Sequence, residues 1–275
     1  MRRLENIGLL ALPGLTFLAV IFALPLLMLL LKSFQIDGQF SLEEYRLFFS
    51  DEYNMSVLWR TLRVATLTTI LALLIAYPTA IAMSRANGIW LSIFLVAMVL
   101  PMSVGVVVKA FAWSIIFRTR GVLNDMLMSL GVIDAPIRML FTETALIIGA
   151  ANVFLPFMVL PIYAVLRQMD TRLPEAAASL GATPVFRFLN VTLPLSLPGV
   201  VAGCAFVFSL AVSMYVIPSL IVGERQQTLS MLTARSFLYL RNEALGATIS
   251  SILLIIAISV VLGSSWLANR LGARQ

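Results

Sequence analysis

The stretch RLPEAAASLGATPVFRFLNVTLPLSLPG, residues 172–199, breaks two of the most apolar runs of the chain with Arg172, Glu175, Gly181, Pro184 and Arg187. These residue types offer recognition: a carboxylate, Glu175, flanked by the small Ala176 and Ala177, makes a surface that another protein can approach closely. Covalent chemistry has little to draw on. The 275 residues include no histidine and one cysteine, Cys204, which lies inside the apolar run GVVAGCAFVFSLAV. Disulfides within the chain, Cys/His metal sites and histidine proton transfer are excluded, and Cys204 reads as a small packing residue. No nucleophile stands with a base partner, and no G-x-x-x-x-G-K-[ST] loop offers a phosphate cradle.

A second set of candidates lies within the apolar runs. Asn152, Tyr163, Ser209, Ser213 and Tyr215 are polar groups in segments that read as lipid-embedded, where an unpaired polar side chain is costly. They either line a substrate path or hydrogen-bond between neighbouring helices.

The elements that must hold these residues follow from composition. With 60% hydrophobic and 12% charged residues, the chain has roughly half the charge of a water-soluble domain, so it is an integral membrane protein. Its net charge of +6 comes from basic residues scattered between apolar blocks, with no stripe of the kind that binds nucleic acid. Six segments are long enough to cross about 30 Å of hydrocarbon: 7–31, 62–83, 90–108, 145–166, 196–216 and 246–268. The first follows Arg2 and Arg3 as a signal peptide would. Its apolar region is too long for a cleaved signal, and no A-x-A-like site follows, so it reads as a retained span.

The expected fold is all-α, with one extra N-terminal helix and a five-helix core. The expected divisions are 1–61 for the first helix and outer loop, 62–268 for the core and 269–275 for a tail. An even span count puts both termini on one side. That side carries eight of the 19 Lys/Arg (Arg2, Arg3, Arg85, Arg167, Arg172, Arg187, Arg270 and Arg274) in about half the non-membrane length of the other, so density and not the raw count favours it as the inside, and the acids agree weakly, with only Glu5, Asp170 and Glu175 there. The long outer segments 32–61 and 109–144 suit short interfacial helices.

Residues 167–195 then form the large inner loop. Asp170 or Thr171 is placed to cap a short helix over PEAAASL, and Gly181 permits the left-handed conformation that ends one. Thr183 before Pro184 is a second start signal, and Phe186, Phe188 and Leu189 are available to pack. Pro194 and Pro198 are expected to interrupt the chain before the fifth span.

Glu175-Ala176-Ala177, three residues, Gly181, nine residues, then Val191-Thr192-Leu193-Pro194 resembles the EAA motif of type I ABC importer permeases, with Val191 where isoleucine is usual. Residues 131–170 and 197–224 are similar to the membrane subunit of spermidine/putrescine-type importers. The resemblance implies that residues 167–195 are a cytoplasmic coupling loop docking on a separate ATPase, with Glu175, Ala176, Ala177, Gly181, Thr183, Val191, Leu193 and Pro194 shaping the contact. It further implies a second permease, two ATP-binding subunits that hold Mg-ATP, a periplasmic substrate-binding protein and a bacterial inner membrane. No cofactor is expected in this chain, and no enzymatic activity.

The substrate implied is a polyamine or a related small amine. Members of this branch also carry opines, 4-aminobutyrate, phosphonates, thiamine and ferric iron. A polycation at a fixed midplane site calls for carboxylates or aromatic faces, and the spans offer no carboxylate. Either the substrate is weakly cationic, or selectivity resides in the binding protein and the partner permease. Asp125, Asp134, Glu143, Glu224 and Glu243 are candidates for an acidic outer mouth or for contact with the binding protein. An ion-coupled secondary transporter would show buried ionisable residues or an inverted repeat, and the spans show neither.

Overall fold

The computed structural model describes residues 12–36, 39–170 and 172–272. Arg2, Arg3, Glu5, the start of the first span at Ile7, Thr171 and the tail from residue 273, with Arg274, lie outside them. Helices α1 (Leu12–Lys32), α3 (Glu52–Arg85), α7 (Glu143–Gln168), α9 (Pro184–Ser213) and α12 (Glu243–Gly272) are long and apolar enough to cross a membrane. The remaining helices are α2 (Glu43–Ser50), α4 (Ile89–Ser103), α5 (Val106–Ile116), α6 (Val122–Ser129), α8 (Arg172–Ser179), α10 (Val216–Ile221) and α11 (Leu229–Leu238). A two-residue antiparallel pair joins β1 (Gln35–Ile36) to β2 (Gln39–Phe40).

The expected third span, 90–108, departs from a straight helix. The chain becomes extended at Val104 and Gly105, and α5 leaves α4 at 98°. Pro101 removes one ladder hydrogen bond, and Gly105 is a poor helix former, so the break falls where helical continuity is weakest. The span count is five, or six if this bent pair is one crossing. The second span begins ten residues earlier than expected, at Glu52 in place of 62.

The interruption expected at Pro194 and Pro198 is absent. Residues 184–213 form one continuous helix, in which a π-turn, Phe188–Thr192, precedes Pro194. Leu193 N–H bonds to Phe188 O, one residue further back than in an α-helix, and this wider turn accommodates the proline ring. The same helix ends at Ser213, so Tyr215 lies beyond the fifth span, at the N-cap of α10, and not within it.

Of the described residues, those up to 56 with 232–255 form one compact unit, and those of 57–231 with 256–272 form another. Inside the first, Phe34 stacks on Phe40 and Tyr45, Tyr45 OH meets Ser33 Oγ at 2.8 Å, and Lys32 pairs with Glu243. Inside the second, α7 is the central helix. Thr142 caps it by accepting Ala145 N–H at 3.2 Å, and its buried side includes Leu146, Met158, Val159 and Ile162. Glycines bring α9 against it: a Cβ on Gly199 would stand 2.8 Å from Pro161 O, and one on Gly203 would stand 2.9 Å from Met158 Sδ. Backbones this close exchange dispersion contacts along their length, as membrane helices do in place of hydrophobic burial.

Candidate coupling loop and substrate path

The loop between α7 and α9 forms by local signals. Asp170 Oδ1 accepts Arg172 N–H at 2.9 Å and so opens α8, and Glu175 sits in the first turn, where the partial positive charge of the helix start favours an acid. Gly181 takes φ +82°. Gly181 N–H then reaches Ala178 O at 2.9 Å, and Ala182 N–H reaches Ala177 O at 3.1 Å, the paired bonds of a Schellman stop. Thr183 Oγ1 accepts Phe186 N–H at 3.3 Å and starts α9 at Pro184.

Glu175, Ala176, Gly181 and Thr183 are exposed on this turn, while Ala177 is half-buried. Leu180 is 89% exposed, and Leu173, Val185, Phe186 and Leu189 are exposed beside it. Bare apolar surface of this kind around a carboxylate suits an interaction face. Of the other motif positions, Val191 and Leu193 are half-buried and Pro194 is exposed, all on α9. Phe188 is not part of the bare face: its ring meets Tyr77 edge-on at 5.7 Å.

Under the turn lies a cleft of about 240 Å³ lined by Ile81, Ser84 and Arg85 of α3, Leu166 and Met169 at the end of α7, Glu175 and Thr192. Arg167 donates to Ser84 O at 3.0 Å and to Asn87 Oδ1 at 3.4 Å, and Tyr77 OH meets Ser196 Oγ at 2.7 Å. Sequence reasoning missed Tyr77, Ser84 and Ser196 as parts of this region, and counted Arg167 only as an inner charge. Their partners are 83 and 119 positions apart and carry no local signature.

The five path candidates separate. Ser209 and Ser213 line one cavity of about 550 Å³, walled by Ala202, Phe206 and Leu210 of α9 and by Val261, Ser264 and Ser265 of α12. Ser213 Oγ donates to Ser209 O at 2.8 Å, while the buried Ser209 Oγ has no partner among the described residues. Asn152, Tyr163 and Tyr215 do not line it. Asn152 Oδ1 instead accepts Trp113 Nε1–H at 3.1 Å, joining α7 to α5. Tyr163 is half-buried on α7 and Tyr215 is exposed.

Two acids proposed for an outer mouth have basic partners. Glu143 pairs with Arg63 and, at 3.4 Å, with Arg60, whose Nη1 also donates to Gln227 O at 3.2 Å. Glu243 pairs with Lys32. Lys109, just past the span expected at 90–108, sits half-buried on the bent helix α5.

PotB, a spermidine/putrescine transport system permease of Haemophilus influenzae, is 35% identical over 233 residues, which cover 84% of this chain and 81% of the relative. The chain belongs to the family of ABC transport permeases that includes PotB. The Escherichia coli K12 PotB is 33% identical over 84% of each chain, and the Salmonella typhimurium LT2 protein is 31% identical over 98% and 95%. No family model matches the chain.

The permease fold is shared with a bacterial alginate ABC transporter solved with an alginate-bound periplasmic protein: TM-score 0.76, 16% identity, 98% of this chain and 96% of that one. It is shared more distantly with the inward-facing MetNI methionine transporter, at TM-score 0.58, 17% identity, and 78% and 93% coverage. The permease is thus the multi-pass inner-membrane subunit of an ABC importer, and ATP hydrolysis belongs to separate subunits.

Proposed function

We propose that this permease forms half of the path by which a polyamine, spermidine or putrescine, or a related small amine, enters the cell. The observation that carries the reading is the 35% identity to a spermidine/putrescine permease across 84% of the chain. The assembly is two permeases, two ATP-binding subunits holding Mg-ATP and a periplasmic binding protein, with both permease termini in the cytoplasm.

Glu175, Ala176, Ala177, Gly181 and Thr183 meet the ATPase, and Val191, Leu193 and Pro194 carry the contact into α9. Nucleotide-driven closure of the ATPases is then a two-state rigid-body change of the membrane helices, opening the path outward with ATP bound and resetting it on hydrolysis. Ser209 and Ser213 in the cavity lie about 37 and 43 Å along the same helix from Pro184, at about 1.5 Å per residue. The cavity's lack of carboxylates suits a path that passes a polycation without holding it, so selectivity falls to the binding protein and the partner permease.

The test is ATP hydrolysis by the reconstituted complex in lipid discs, with its binding protein, across polyamines, opines, 4-aminobutyrate, phosphonates, thiamine and ferric iron. Stimulation by spermidine or putrescine supports the reading. Stimulation by another of these alone keeps the importer and overturns the substrate.

A further inference from the structure

We propose that α3 is driven by the coupling loop directly: its inner end from Tyr77 to Arg85, with Asn87 just beyond it, is gripped on both flanks of the loop and moves with α7 and α9 as one body. The inference rests on the reading that Glu175, Ala176, Ala177, Gly181 and Thr183 meet an ATPase.

Before the loop, Arg167 at the end of α7 holds Ser84 O at 3.0 Å and Asn87 Oδ1 at 3.4 Å. A helix leaves its last four carbonyls without intrahelical partners and carries partial negative charge there. A guanidinium on Ser84 O satisfies one of them with a charge-assisted bond, at the helix end where a cation is favoured. After the loop, Ser196 is wholly buried, and its hydroxyl donates to Leu193 O at 2.9 Å, which leaves Tyr77 OH to donate to Ser196 Oγ at 2.7 Å. The Tyr77 ring also bears on Phe188, inside the π-turn.

Between the two grips, Ile81, Ser84 and Arg85 wall the cleft whose opposite side includes Glu175 and Thr192. Tyr77, Ile81, Ser84 and Arg85 stand at i, i+4, i+7 and i+8, a single face of α3. The loop therefore straddles one stripe about two turns long. Pro78, next to Tyr77, removes a ladder hydrogen bond there, so the gripped end has a joint at which to bend from the rest of α3. Arg167 and Tyr77 are positioning residues in this arrangement and touch no substrate.

The test uses the complete complex with its binding protein in proteoliposomes and compares Arg167→Gln, Tyr77→Phe, the double variant and Arg167→Lys. Three quantities are read: copurification of the ATPase subunit, ATP hydrolysis, and solute taken up per ATP. Copurification and hydrolysis stay near the unmutated level, while uptake per ATP in the double variant falls at least about fivefold, the lower end of a usual coupling between sites. Arg167→Lys keeps most of the ratio, because an ammonium still serves the carbonyl.

An unchanged ratio in the double variant overturns the proposal, and so does loss of ATPase copurification in step with uptake, which would mean a docking or folding role. Failure of the underlying reading looks different: the unmutated chain would not copurify with an ATPase at all. If the unmutated complex answers only to a solute other than a polyamine, the ratio is measured with that solute and the proposal stands or falls on it.

Discussion

The indole of Trp113 and the amide of Asn152 form a hydrogen bond of 3.1 Å between α5 and α7. A polar group read from sequence as a path candidate is thereby occupied in fixing the bent segment to the central helix. Trp113→Phe and Asn152→Leu are expected to lower thermal stability in lipid by similar amounts, with a double-mutant coupling of about 0.6 kcal/mol, the average for such bonds in membranes. The KM for uptake stays the same in both. A KM shift with Asn152→Leu alone would return Asn152 to the path.

Glu175→Lys is expected to abolish uptake while the chain still inserts, because it reverses the charge of the docking face at the start of α8. Gly181 is a separate case. A Cβ there meets nothing within 4 Å, so its φ of +82° and not space limits substitution. Gly181→Asn, which tolerates that conformation, keeps more uptake than Gly181→Val, and Gly181→Asp loses it by placing a charge on the face. Substrate-stimulated ATP hydrolysis, measured with membrane insertion as control, ranks the set.

Gly199→Val drives a side chain into Pro161 O and is expected to cost about 1–3 kcal/mol, the usual range for overpacking. Gly263→Ala, on α12 with open space around it, is neutral or stabilising by up to about 1 kcal/mol through helix propensity. Detergent-titrated unfolding of the two variants side by side checks the difference.

Ser213→Trp is expected to obstruct part of the cavity of about 550 Å³ and lower uptake while basal ATP hydrolysis continues. Ser209→Ala removes a buried hydroxyl with no partner among the described residues, so it keeps or raises stability. Normal uptake in Ser213→Trp would show that the substrate passes elsewhere.

Glu143→Gln is expected to leave the KM for a cationic substrate unchanged, because Arg60 and Arg63 already hold the carboxylate. Its effect falls on stability, and more strongly at low salt than at high salt. Uptake kinetics and thermal melts at two ionic strengths separate these outcomes.

The turn between α8 and α9 was legible because its causes are local: Asp170, Gly181, Thr183 and Pro184 act within four residues of where they stand, and each does so in the structure. Five of the six expected membrane helices were legible from length and apolarity alone. The continuity of α9 was not. Proline is a reliable local breaker, and its effect at Pro194 is cancelled by a π-turn that has no sequence period of its own. The 98° bend after Ser103 and the end of α9 at Ser213 likewise moved boundaries that hydropathy drew straight. The partners of Arg167 escaped notice because they lie 80 and 83 positions away, and its shorter bond goes to a backbone carbonyl, which every residue has.

The π-turn at Phe188–Thr192 also fixes an angular phase. Each residue of a helix turns the chain by about 100°, so deleting one residue from the turn would rotate the short stretch Pro184–Arg187 by that angle about the axis of α9. Val185 and Phe186, both exposed now, would then face other directions. The length of this segment is thus as much a part of the recognition surface as its side chains, and insertions or deletions here are tolerated less than substitutions.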